Sequence, residues 1–266
     1  GNIKEVDSGT CLSCPAILIG KKSMRIAVLA DIHANLAALE AVLEDIAGRQ
    51  VSEILCLGDS IGYGPDPGEV LRELRRRGIG SILGNHEYAA LNRAYLERMN
   101  PDPKRSLEMT LPLLSAEDLA WIAGLEPVLV HRGMRLVHGC PPKSPTCYLF
   151  YPNARMLERF FLSFPEQICF YGHTHVLSFF EEGLPPEEGM EAELATYRLH
   201  PDRRYLINPG SVGQPRDGIN NQAKYLLWDP DKGTVSFLGV PYEVQRTVNR
   251  LHQLGFPEFN AQRLVW

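Results

Sequence analysis

Long apolar runs are missing from this sequence: nothing in it approaches the roughly 20 consecutive apolar residues that span a bilayer. The short run AILIG (16–20) is too brief for the core of a signal peptide. A cytoplasmic address is therefore the default expectation. An excess of positive charge is missing too. Lys and Arg number 27 against 32 Asp and Glu, a net charge of −5 with an isoelectric point near 5.9. That balance leaves no electrostatic footprint for gripping a phosphate backbone, so nucleic acid is not expected as a partner. The one dense basic run, Arg75–Arg77, precedes Gly78 at a predicted helix end, where it complements the helix dipole. Cysteines are few, six in 266 residues, and show no framework pattern. Cys11 and Cys14 form a CxxC with no second pair to complete a zinc site. Cys56 and Cys169 lie inside apolar runs, where a thiol behaves as a small hydrophobe, and Cys140 and Cys147 stand in a proline-rich loop. No internal repeat or low-complexity segment appears.

What is present is ordinary for a globular chain: 44% hydrophobic and 22% charged residues, with length enough for a sizeable core in one or two domains. Residues 1–23 read as an irregular N-terminal extension and 24–266 as a single domain; Met24 could serve as a natural start. From Met24 the pattern alternates. A strand over 25–30 is followed by a helix in which Leu36, Leu39, Leu43 and Ile46 recur at helical spacing, with Gly48 as C-cap. A strand over 53–58 leads to a helix with Asp66 as N-cap, Pro67 in its first position and Glu69 completing the box. A short strand (80–84) precedes a helix expected from His86 to Met99, and another helix starts near Ser115. A strand over 135–139, a helix near 153–163 and the strand QICFY (167–171) follow. Beyond residue 176 the rhythm becomes strand–turn–strand, through EAELATYRL, RYLINPGS, AKYLLWDP and TVSFLGVPYE, with a hairpin turn at 229–233. The last helix is expected over 243–254. The implied class is α/β, one sheet of βα units joined to a second, more antiparallel sheet.

Polar residues gather where the strands end. Asp31 and His33 follow the first, Asp59 the second, Asn85 and His86 the third; His138 ends the fourth, and His173 and His175 end the fifth. Residues at the carboxyl ends of strands in an α/β sheet face one crevice. Five of the eight histidines belong to this set, which random surface placement does not explain. Aspartate, asparagine and imidazole donors without thiolate suit two divalent metals. Such a pair can polarise a phosphoryl group and bring a bridging water's pKa close to neutral. Asp59, with two oxygens on a strand of its own, is the natural bridge.

In order, DIH (31–33), GD (58–59), GNHE (84–87), His138 and GHTH (172–175) resemble the signature of the calcineurin-like metallophosphoesterases. GDSIGYGPDP, VHGCPPKSPTCYL and INPGSVGQPRDG are similar to a compact bacterial and archaeal branch of that family. The resemblance implies a four-layer αββα sandwich, with two central mixed sheets flanked by helices. It implies one metal on Asp31, His33 and His175, a second on Asn85, His138 and His173, and Asp59 between them. The metals would be drawn from Mn, Fe, Zn, Ni and Co. His86 would approach the leaving-group oxygen of a phosphate monoester or diester as a metal-bridging hydroxide attacks.

Two positions depart from the branch. Ala34 replaces the usual glycine of DIHGN, which is acceptable only if the backbone there avoids positive φ. Cys140 replaces a serine beside His138; a passive substitution is expected rather than a soft ligand or an oxidation site. Residues 100–130 and 141–165 could shape the mouth of the site. There Tyr148, Phe150 and Tyr151 are expected to pack beneath their loop, with base stacking as the alternative. Arg216 is divided between an anionic substrate and a structural ion pair. A catalytically weak, metal-stabilised protein-binding scaffold is the competing class, and the complete ligand set with His86 favours the enzyme. Small-molecule phosphate esters and nucleotides are the expected substrates; a phosphoprotein and a homo-oligomer stay open.

Overall fold

The structure, a computed structural model, describes residues 24–189 and 192–266; the extension 1–23, with Cys11 and Cys14, lies outside the described residues. The first strand, β1 (Ile26–Leu29), is buried along its whole length. Ile26 and Val28 enter one core while Ala27 and Leu29 enter another, as expected of a strand covered on both faces. α1 (Leu36–Ala47), capped by Asn35, crosses over to β2 (Glu53–Cys56), and α2 (Pro67–Arg76) crosses to β3 (Gly80–Ser81). Four helices follow: α3 (Asn85–Leu91), α4 (Arg93–Leu96), α5 (Pro101–Thr110) and α6 (Ala116–Ala123). The hairpin of β4 (Val128–His131) and β5 (Met134–Val137) opens the second sheet, and α7 (Ala154–Phe161) leads to β6 (Ile168–Phe170) and β7 (Leu177–Glu181). Then come β8 (Thr196–Arg198), β9 (Tyr205–Pro209), β10 (Ala223–Asp229), β11 (Thr234–Val240), α8 (Val244–Gln253) and α9 (Glu258–Gln262).

One sheet has the order β3-β2-β1-β10-β11-β8 and the other β4-β5-β6-β9-β7. Both are mixed. β1, β2 and β3 run parallel, as do β5, β6 and β9, and the remaining pairings are antiparallel. Val28, Leu226 and Phe237 of one sheet and Leu136, Phe170 and Ile207 of the other share a core between the sheets. The outer face of the six-stranded sheet packs Leu29 and Cys56 against Leu39, Val42 and Leu74 of the helices. The outer face of the five-stranded sheet packs Cys169 and Leu206 against Leu157 and Phe161 of α7. Helix, sheet, sheet, helix is the four-layer αββα sandwich. Cys56 and Cys169 are both fully buried free thiols that fill space in these layers.

Several boundaries differ from the sequence reading. The helix expected from His86 to Met99 breaks at Asn92, whose extended backbone ends α3 and whose side chain caps α4 by accepting from Tyr95 N at 3.0 Å. Asp66 makes no side-chain cap; its carboxylate accepts from Arg250 Nε at 3.2 Å, so tertiary pairing wins over local capping. α5, β4, β7 and α9 are additional elements, so the helix near 243–254 is not the last. α5 and α6 place Leu107 and Ile122 in the helical layer. Among the described residues no helix is long and apolar enough to cross a membrane.

Candidate metal centre

The loops after β1, β2, β5 and β6 and the start of α3 converge between the two sheets. Five of the side chains they deliver stand on backbone in the left-handed region: Asp31 (φ 53°), His33 (49°), Asp59 (53°), His173 (69°) and His175 (62°). For residues other than glycine that region costs about 1 kcal/mol or more each. It is held in place by a ladder of main-chain bonds between neighbouring loops. Asp31 N donates to Gly58 O (3.1 Å), His33 N to Asp59 O (2.9 Å) and Ala34 N to Ser60 O (2.8 Å). Ala34 itself has φ 51°, so the expectation that alanine requires ordinary backbone here fails: the same ladder holds it in the conformation that glycine would take freely.

Asp31, His33, Asp59, Asn85, His86, His138, His173 and His175 are brought together, each at most 3% exposed. His33 Nε2 and His175 Nε2 face each other at 3.0 Å, with Asp31 Oδ1 3.4 Å from His175 Nε2. Around His138 Nε2 stand Asn85 Oδ1 at 3.1 Å, His173 Nδ1 at 3.2 Å and Asp59 Oδ2 at 3.2 Å. Asp59 Oδ2 lies 3.7 Å from His33 Nε2 and so joins the two groups. His86 Nε2 is 4.0 Å from the same oxygen, which makes a third His/Asp grouping with His33.

Hydrogen bonding fixes which nitrogens are free. The Nδ1 atoms of His33, His138 and His175 contact the main-chain carbonyls of Ile61 (3.0 Å), Leu57 (2.9 Å) and Gln214 (2.6 Å). Each therefore carries its proton on Nδ1 and turns Nε2 inward. Burial drives His33, His173 and His175 well below the ordinary imidazole range, so these rings are neutral. Two neutral imidazoles then point lone pairs at each other across 3.0 Å, an arrangement that a hydrogen bond cannot satisfy and a cation can. Burial pushes Asp31 up to about 7, against the opposing charge of His138. Burial pushes Asp59 the same way, but His138 and His86 outweigh it and hold that carboxyl well below its usual range. Burial would lower His138, yet Asp59 and Asp31 raise it to about 9. The two carboxylates beside His138 thus favour positive charge at this point. The donor set and this preference both fit divalent cations.

Residues 24–233 match the calcineurin-like phosphoesterase superfamily domain. The chain belongs to that superfamily. This phosphoesterase is similar to a metallophosphoesterase from Sphaerobacter thermophilus, 37% identical with a TM-score of 0.79, over 91% of this chain and 98% of that one. An uncharacterized protein of Methanocaldococcus jannaschii is 33% identical over 91% of this chain and 98% of its own length. A hypothetical protein from Pyrococcus horikoshii shares the fold at 20% identity, with a TM-score of 0.74 over 91% of this chain and 97% of that one. The phosphoesterase is accordingly a metal-dependent phosphoric ester hydrolase, and its buried His and Asp groups could hold the metal.

Sequence reading overlooked Glu87, the last residue of GNHE. Its carboxylate accepts from the main-chain N–H groups of Asp59 (2.9 Å), Ser60 (2.6 Å), Ile61 (3.2 Å) and Gly84 (3.0 Å), clamping the Asp59 loop to α3. Its place three residues after a helix N-cap was the available signal. Gly84 lies so close that an added Cβ would come 2.2 Å from Asp59 Oδ1. Glu87→Gln in the phosphoesterase should weaken metal binding about 10–100-fold, the usual effect of losing a group that orients ligands. Metal titration followed by calorimetry checks this, and unchanged affinity would contradict the clamp.

Three further expectations need correction. Cys140 is no passive thiol: it forms a disulfide with Cys147. Tyr148, Phe150 and Tyr151 do not pack beneath their loop, being 49%, 46% and 82% exposed. Tyr148 instead stacks on His173 with ring centroids 3.6 Å apart, and Phe150 stacks in turn on Tyr148 at 5.3 Å. Arg216 forms no ion pair with any carboxylate among the described residues; its guanidinium lies 5.5 Å from the ring centroid of Tyr63.

Proposed function

We propose that this chain is a dinuclear phosphoesterase acting on phosphate monoesters or diesters. In this reading Asp31, His33 and His175 hold one metal, Asn85, His138 and His173 hold the other, and Asp59 serves both. The facing Nε2 atoms of His33 and His175, with the second constellation joined through Asp59, are the observation that supports it most. Two divalent ions there would polarise the phosphoryl oxygens and acidify a water toward neutrality. N and O donors without thiolate suit Mn, Fe, Zn, Ni or Co. The chain's own residues supply the rest. Main-chain carbonyls orient three imidazoles, and Tyr148 covers one side of His173. Burial lowers the pKa of His86, and its Nε2, 4.0 Å from Asp59 Oδ2, would donate to the leaving oxygen. Gly62 keeps that ring in position, since a Cβ there would stand 2.1 Å from His86 Nδ1.

Turnover of p-nitrophenyl phosphate and bis-p-nitrophenyl phosphate, measured with each of the five metals, tests the proposal. Activity on at least one ester should vanish on chelation and return with metal. No turnover with any metal would contradict it. A chain beginning at Met24 should keep its metal content and kcat, because all eight site residues lie beyond that point. A folded, inactive product of that truncation would show that residues 1–23 serve the site.

A further inference from the structure

Beside the metal centre, on the side of His33 and His86, lies a cavity of about 330 Å³ lined by Pro215, Arg216, Gly218, Arg263 and Trp266. Tyr63 links the two through its ring contacts. Its ring centroid is 4.7 Å from that of His33 and 4.9 Å from that of His86. On it lie the Arg216 guanidinium at 5.5 Å and the Arg263 guanidinium at 5.9 Å. Neither has a carboxylate partner among the described residues, whereas Arg25, Arg75 and Arg135 each have one. Two cations placed together without a counter-ion repel, and an anion between them removes the penalty.

Both positions are fixed. The main-chain N–H of Arg216 donates to His175 O at 3.1 Å, which ties it to the GHTH loop. Arg263 follows α9, whose buried Asn260 donates to Tyr63 O and accepts from Ser106 Oγ at 2.9 Å. Trp266, 51% exposed, completes the cavity with a flat apolar ring.

We infer that Arg216 and Arg263 form a subsite for a second phosphate on the leaving-group side, with Trp266 stacking on a base beyond it. The substrate class is then a nucleoside polyphosphate. This rests on the proposed function, because it places the terminal phosphate at the metal centre and the next phosphate beside His86 and the arginines. For ADP, water oxygen bonds to the terminal phosphorus and the anhydride P–O bond breaks. Its electron pair stays on the oxygen of AMP. One proton of the water remains on the released phosphate and the other goes to solvent. The two guanidiniums meet the charge gathering on the AMP phosphate.

The test compares ADP with p-nitrophenyl phosphate in the metal-loaded protein. Arg263→Gln should lower the ratio of kcat/KM for ADP to that for p-nitrophenyl phosphate about 10–100-fold, the range for losing a charge-assisted contact. Arg263→Lys should recover part of it. ADP should also quench the fluorescence of Trp266, an effect absent in Trp266→Phe. An unchanged ratio in Arg263→Gln, or p-nitrophenyl phosphate turnover with none on ADP, would overturn the subsite and leave the proposed function standing. No turnover of ADP, p-nitrophenyl phosphate or bis-p-nitrophenyl phosphate by the unaltered protein, with any of the five metals, would overturn the proposed function itself.

Discussion

Asp59→Asn is expected to lower kcat/KM about a thousandfold or more and to reduce the bound metal to one ion per chain or fewer. Asp59 Oδ2 stands 3.2 Å from His138 Nε2 and 3.7 Å from His33 Nε2, so one carboxylate serves both groups of ligands. Replacing an oxygen by an amide nitrogen turns an N–H₂ donor toward the ligands and removes a negative charge from between two proposed cations. Several kcal/mol of transition-state stabilisation depend on those cations, and each 1.36 kcal/mol is a factor of about ten. The fold should survive, because the other oxygen, which accepts from His86 N at 2.9 Å, is retained. Metal analysis and steady-state kinetics check the prediction. Two bound ions with activity within tenfold of the parent would contradict the bridging role.

His86→Ala should keep both metals and lose about 10²–10⁴-fold in kcat on alkyl phosphates, with a smaller loss on p-nitrophenyl phosphate. The difference comes from the leaving group: p-nitrophenolate departs readily unaided, whereas an alkoxide needs a donor at its oxygen. His86 Nδ1 has no hydrogen-bond partner among the described residues, and Nε2 is 4.0 Å from Asp59 Oδ2. The ring is held by packing, with His33 and Tyr63 at centroid distances of 4.8 and 4.9 Å, rather than by bonds to the ligands. Equal losses on both esters would favour general electrostatic stabilisation over help to the leaving group. Loss of a metal ion would move His86 among the ligands.

The sequence was most informative where strand periodicity and chemistry coincided. A buried strand followed at once by Asp, His or Asn places that residue at a carboxyl edge, so all eight polar residues could be assembled from strand ends alone. The order of the sheets was less legible, because β1 pairs with β10 about 200 positions later and no local pattern encodes that partner. Glu87 was hidden because a carboxylate at a helix N-terminus is explained locally, whereas here it holds the Asp59 loop from across the sequence. Tyr148 was misjudged because an aromatic cluster in a loop resembles a small core; its contact with His173 depends on a loop closed by the Cys140–Cys147 bond. Arg263 was invisible for a simpler reason: α9, which positions it, has only five residues and shows no helical periodicity of its own.

The most direct test of the central claim is anomalous diffraction from crystals grown with excess Mn²⁺. The dinuclear reading predicts two peaks per chain, one among Asp31, His33 and His175, the other among Asn85, His138 and His173, with Asp59 in contact with both. A single peak at full loading, or two peaks that do not share Asp59, would contradict it.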